Sequence, residues 1–102
     1  MFLRITFTNF DLNTQPGFWE GEFLDAFGKK HVIIDKIPII FEKFDEKNFP
    51  QEGFLIPGKI IERKGNRVLF SLCEPFYITS KEGETNFYVF EDQLNDKPLL
   101  LR

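Results

Sequence analysis

The sequence predicts an all-β fold: a small antiparallel, strongly bent sheet forming a barrel or a sandwich of about seven short strands, with at most one short helix. Three observations predict it. Fourteen phenylalanines among 102 residues are spread over short runs. Those runs alternate with period two, the spacing that sends successive side chains to opposite faces of a strand. Turn residues recur roughly every eight to twelve positions, as in sandwiches and barrels, and no stretch has the pattern of a long helix.

Each element follows from local chemistry. In Phe2 to Phe10, Leu3, Ile5 and Phe7 alternate with Arg4, Thr6 and Thr8, as in a half-buried strand. In Gly17 to Phe27, Trp19, Gly21, Phe23, Asp25 and Phe27 share one face, the more aromatic one. Gly28-Lys29-Lys30 supplies a turn and His31 to Asp35 returns as a third strand, completing a hairpin. A short strand is expected at Ile37 to Phe41, kinked at Pro38, because proline cannot donate to a ladder. Glu42 to Gly53 is polar and reads as the longest loop. Phe54 to Arg63 and Arg67 to Cys73 form the next pair about Lys64-Gly65-Asn66, and Pro57-Gly58 marks a bulge or sharp bend that lets a small sheet curl. Phe76 to Ser80, the turn Lys81 to Glu84 and Thr85 to Phe90 read as a last hairpin. Glu91 to Leu94 reads as one helical turn before the tail Pro98 to Arg102.

Length and composition set the bounds. One β domain over residues 1–102 is expected, since a chain of this size builds a single core. Cys73 is the sole cysteine, so no internal disulfide is available, and Met1 to Thr6 lacks the basic and apolar pattern of a leader. A cytoplasmic protein is the resulting expectation. The longest apolar run, Ile37 to Phe41, is far short of the roughly eighteen residues of a membrane helix. The net charge of −3 opposes attraction to phosphate and suits a basic partner.

Catalytic material is sparse. Nucleophilic catalysis requires a nucleophile beside a base, and His31 is the sole histidine. Cys73 reads as a buried or half-buried structural thiol. Asp25 and His31 flank one hairpin turn, where the carboxylate is expected to cap backbone amides and the imidazole to make a local hydrogen bond. Structural zinc takes four Cys or His ligands, and the chain holds two such residues, so no metal and no cofactor are expected. Glu20 and Glu22 share a strand face, but solvated strands commonly carry Glu. Lys59, Arg63, Lys64 and Arg67 cluster about one hairpin, yet exposed aromatics alternating with Arg or Lys are missing, so nucleic acid is not expected as a partner.

Protein binding is the remaining class. The loop Glu42 to Glu52 sets Glu42, Asp45, Glu46 and Glu52 beside Phe44 and Phe49. This is either an aromatic anchor within an acidic rim or a plug in which both rings fold inward. Trp19 joins these as a candidate contact, with Glu82 and Glu84 as a second acidic patch.

The residues Trp19, Phe23, Asp25, Gly28, His31, Asp35, Lys36 and Pro38, then Pro50, Gly53, Glu74-Pro75-Phe76, Glu82-Gly83 and Phe87, resemble a loose group of small bacterial β proteins. Some of these are similar to immunity proteins encoded beside polymorphic or contact-dependent toxins. Members carry Trp where this chain has Phe76. The resemblance runs from Trp19 to about Leu94 and rests on turn and core residues, so it implies a fold and a genomic setting and transfers no catalytic residue. With the acidic charge it leads to the expectation of a non-enzymatic immunity protein that neutralises a cognate, basic toxin domain by stoichiometric binding. Two alternatives stand beside it: a small barrel binding nucleic acid through Lys59, Arg63 and Arg67, and an enzyme using His31 with Asp25 or Asp35.

Overall fold

The computed structural model describes residues 1–11, 13, 17–36 and 54–96. Eight strands lie among them, namely β1 (Phe2–Asp11), β2 (Phe18–Leu24), β3 (Lys30–Lys36), β4 (Phe54–Pro57), β5 (Lys59–Lys64), β6 (Arg67–Ser71), β7 (Asn86–Phe90) and β8 (Leu94–Asn95). One 3-10 turn at Glu91–Gln93 precedes β8. All pairings are antiparallel. The first sheet has the order β3-β2-β1-β4, with β8 added to β1 opposite Phe2 and Leu3, and the second has the order β5-β6-β7.

Alternation does the sorting. Leu3 and Ile5 of β1, Trp19 and Phe23 of β2, Ile33 of β3 and Ile56 of β4 turn inward, and Val68, Phe70, Phe87 and Val89 of the second sheet join them in one cluster. The Phe23 ring meets Phe87 edge-on across the two sheets, with centroids 5.1 Å apart. Burial of each such side chain contributes about 1.5–3 kcal/mol. Among the described residues the sheets pack over this shared core and are not closed into a barrel.

The chain changes sheets at Gly58. A single run, Phe54 to Arg63, is broken there into β4 of the first sheet and β5 of the second, in keeping with the bend expected at Pro57-Gly58. A Cβ at Gly58 would lie 2.5 Å from both the Phe70 ring and the Ser71 carbonyl oxygen, so only glycine permits this approach. The Gly58 amide donates to the Met1 carbonyl at 3.0 Å. One edge of the second sheet among the described residues, β5, carries Lys59, Glu62, Arg63 and Lys64.

One expected hairpin is replaced. Phe76 to Ser80 is not a strand: Pro75 has no amide hydrogen, Tyr77 has φ of 53°, outside the extended region, and only Ser80 pairs, with Ile33 of β3. The helical turn at Glu91 to Leu94 is a 3-10 turn ending at Gln93. The strand Ile37 to Phe41, the loop Glu42 to Gly53 and the tail Pro98 to Arg102 lie outside the described residues. Among the described residues no helix is long and apolar enough to cross a membrane.

Candidate functional site

The sole histidine is set by the β2–β3 hairpin. Its register places Phe23 opposite His31, and the turn beyond is closed by Asp25. The Asp25 backbone amide donates to the Lys29 carbonyl at 2.9 Å, and the Gly28 amide donates to the Asp25 carbonyl at 3.1 Å. Gly28 has φ of 83°, which a side chain would resist. The Asp25 carboxylate serves two purposes. Oδ1 accepts from the amides of Phe27 at 2.9 Å and Lys29 at 3.0 Å, and Oδ2 lies 2.8 Å from His31 Nε2. A carboxylate oxygen only accepts, so Nε2 carries the hydrogen. Burial pushes the Asp25 carboxyl up, but the bond to His31, the amides of Lys29 and Phe27, and attraction to His31 outweigh it. They hold the carboxyl below its ordinary 3.8.

His31 faces the core, 4% exposed, with ring centroids 5.3 Å from Phe23 and 4.7 Å from Phe87. Its second nitrogen faces another turn. Ser80 and Glu84 close that turn through Ser80 N–H to the Glu84 carbonyl at 2.8 Å and Glu84 N–H to Ser80 Oγ at 3.1 Å. The bridge from Ser80 to Ile33 and the Lys81 amide donating to the Val32 carbonyl at 2.7 Å dock the turn on β3. Glu84 Oε1 therefore stands 3.4 Å from His31 Nδ1. The distance fits an ion pair, but hydrogen-bond geometry is not met, and Nδ1 is buried without a hydrogen-bond partner among the described residues. Glu82, exposed on the same turn, pairs with Lys29 at 3.5 Å. A small recess of about 90 Å³ lies among Lys30, His31, Val32, Ser80, Lys81 and Glu82.

The expected pairing of Asp25 with His31 is present. Asp35 lies four residues along β3, about 13 Å away at ordinary strand rise. Burial raises its carboxyl above 3.8, against the opposing pull of the Lys36 amide and charge. The expected acidic patch, Glu82 and Glu84, is exposed and faces His31 and Lys29. Trp19 requires correction as a surface contact: it is 0% exposed, because it shares the inward parity of Gly21 and Phe23. Glu42, Phe44, Asp45, Glu46, Phe49 and Glu52 lie outside the described residues.

Cys73 also requires correction. It is exposed, because β6 ends at Ser71 and the alternation that would bury it ends there too. It opens an exposed knuckle, residues 73–77, whose last two residues belong to the strand expected from Phe76 to Ser80. Phe76 is 45% and Tyr77 65% exposed. The feet of the knuckle, Leu72 and Ile78, are fully buried and tied by the Ile78 amide to the Leu72 carbonyl at 2.9 Å. Leu72 N–H in turn donates to the Thr85 carbonyl at 2.8 Å. The signal available in the sequence is Pro75, which interrupts the run from Leu72 to Ile78.

Five of the other charged candidates have local partners, and Lys59 is exposed on β5. Arg63 pairs with Glu91, Lys64 lies 3.6 Å from Glu62, and Arg67 lies over the Phe27 ring at 4.6 Å. Glu20 accepts from the Thr8 hydroxyl at 3.1 Å, and Glu22 pairs with Lys30 at 3.7 Å. A larger open recess of about 650 Å³ has Ile5 and Phe23 along its floor and Arg4, Leu24, Phe27 and Gln93 at its rim, and His31 does not line it. Comparison of the chain with family models, with curated protein sequences and with solved structures gives no match in any of the three.

Proposed function

We propose that this chain is a non-enzymatic protein-binding module of the cytoplasm, an immunity protein that neutralises a cognate basic toxin domain by covering its active site or an essential surface. The observation that carries the reading is the knuckle at residues 73–77. Two aromatic side chains, Phe76 and Tyr77, stand in water on a segment whose feet, Leu72 and Ile78, are fixed in the core. A held aromatic pair loses little conformational freedom on binding, and such residues dominate the energetics of protein interfaces. Glu74 lies within the knuckle, and the same connection between β6 and β7 carries Glu82 and Glu84. With the net charge of −3, these carboxylates favour encounter with a basic partner. The imidazole, by contrast, is committed to a hairpin: His31 is buried and bonded to the carboxylate that closes its own turn.

Co-expression with the product of the adjacent upstream gene tests the proposal. The expected result is a one-to-one complex by native mass analysis and relief of growth inhibition by that product. The double variant Phe76→Ser, Tyr77→Ser, folded by circular dichroism, is expected to weaken the complex on the order of a hundredfold, the size of a hot-spot loss. A neighbour without toxicity, no complex, or a double variant that binds as tightly as the parent chain overturns the reading.

A further inference from the structure

We propose that His31, Glu82 and Glu84 bind a divalent first-row transition-metal ion, with His31 Nδ1 as the nitrogen ligand and the two carboxylates as oxygen ligands. One donor atom from each residue lies within 4.8 Å of the other two. The exposed carboxylates alone would carry no weight on an acidic protein. The independent observation is the imidazole. His31 is 4% exposed, and its Nδ1 is buried, lacks a hydrogen-bond partner among the described residues and stands 3.4 Å from Glu84 Oε1. A ring nitrogen withdrawn from water and left unbonded is costly unless something else occupies its lone pair.

The geometry is that of a prepared ligand. With bonds near 2.1 Å, a tetrahedral zinc ion holds a nitrogen and an oxygen ligand about 3.4 Å apart. Nδ1 and Glu84 Oε1 already stand 3.4 Å apart. Metal-binding imidazoles usually donate their other N–H to a carboxylate, which fixes the ring and raises its basicity. Asp25 Oδ2 occupies that position at 2.8 Å from Nε2, while Phe23 and Phe87 pack against the ring. Glu82 closes the third side by exchanging its exposed pairing with Lys29 for the ion. One imidazole with two carboxylates suits zinc or a neighbouring first-row ion better than calcium or magnesium, which favour all-oxygen shells. A closed structural zinc site needs four protein ligands, the requirement behind the sequence expectation of no metal. Three ligands leave a coordination position for water and escape that count.

Isothermal titration of the full chain with Zn²⁺ alone tests the site. One ion per chain is expected, with Glu84→Gln and Glu82→Gln each weakening binding at least about tenfold, the scale on which a lost site contact acts. Both side chains are exposed, so neither change should unfold the protein. Cys73→Ser should bind as the parent does, since the thiol lies on the knuckle. In imidazole nitrogen NMR, Zn²⁺ should shift the Nδ1 resonance of His31 while the Nε2–H signal persists. No saturable binding up to about 1 mM Zn²⁺, unchanged affinity in both glutamine variants, or loss of binding in Cys73→Ser overturns the proposal.

Discussion

Asp25 joins two kinds of order with one carboxylate. Oδ1 holds the turn amides of Phe27 and Lys29, and Oδ2 holds the imidazole that lies between Phe23 and Phe87. Asp25→Asn keeps an acceptor for the amides but presents an NH₂ group where His31 Nε2–H needs an oxygen. The expected loss is about 1.5–3 kcal/mol in urea unfolding at neutral pH, the usual worth of a hydrogen bond to a charged group. The folded carboxyl lies below its ordinary 3.8, so its stabilising share is complete above that value and disappears as pH falls through the lower folded value. The gap between parent and variant should therefore narrow as unfolding is repeated at successively lower pH across that window. A constant gap would mean that the carboxylate charge plays no part.

At the scale of elements, the decisive position is the crossing from β4 to β5. Gly58→Ala would press a methyl group against the Phe70 ring and, less forgivingly, against the Ser71 carbonyl of the backbone. A loss of about 1–3 kcal/mol is expected, as for other overpacked sites, measured as a lowered urea midpoint with an unchanged denaturant slope. The bend was legible, because Pro57-Gly58 interrupts the strand-like run from Phe54 to Arg63. Strands β1 to β3 were legible for a similar reason: alternation around Trp19, Gly21 and Phe23 distinguishes inside from outside with no tertiary information. That same parity places Trp19 in the core, so its role as a partner contact was readable as unsuitable. The knuckle was legible only as an interruption at Pro75. Phe76, Ile78 and Ser80 alternate as a strand would, yet Phe76 is exposed while Ile78 and Ser80 are buried, and Tyr77 between them has φ of 53°. The Asp25–His31 pair could be read from one hairpin. The approach of Glu84 could not, because it depends on Ser80 docking against Ile33 across 47 positions of sequence.

For the molecule as a whole, neither sheet has a core of its own. Ile5, Ile33 and Ile56 from one side and Val68, Phe70 and Val89 from the other bury a single shared interior, and Phe23 meets Phe87 across it. Loss of either sheet would expose the other, so unfolding should be all-or-none. Trp19 fluorescence, reporting the first sheet, and the backbone amide NMR signal of Tyr88, on β7, should give coincident urea transitions, and separated midpoints would show that the sheets melt independently. The charged residues of β5 act at this scale too, since Lys59, Glu62, Arg63 and Lys64 discourage another chain from adding to that edge.

The solitary thiol provides a practical handle. Cys73 is exposed and precedes Phe76 and Tyr77 by only a few residues. A maleimide fluorophore coupled there would occupy a single defined address on every molecule, without mutagenesis. Quenching or polarisation of that dye would then report in real time when another macromolecule settles over the neighbouring rings.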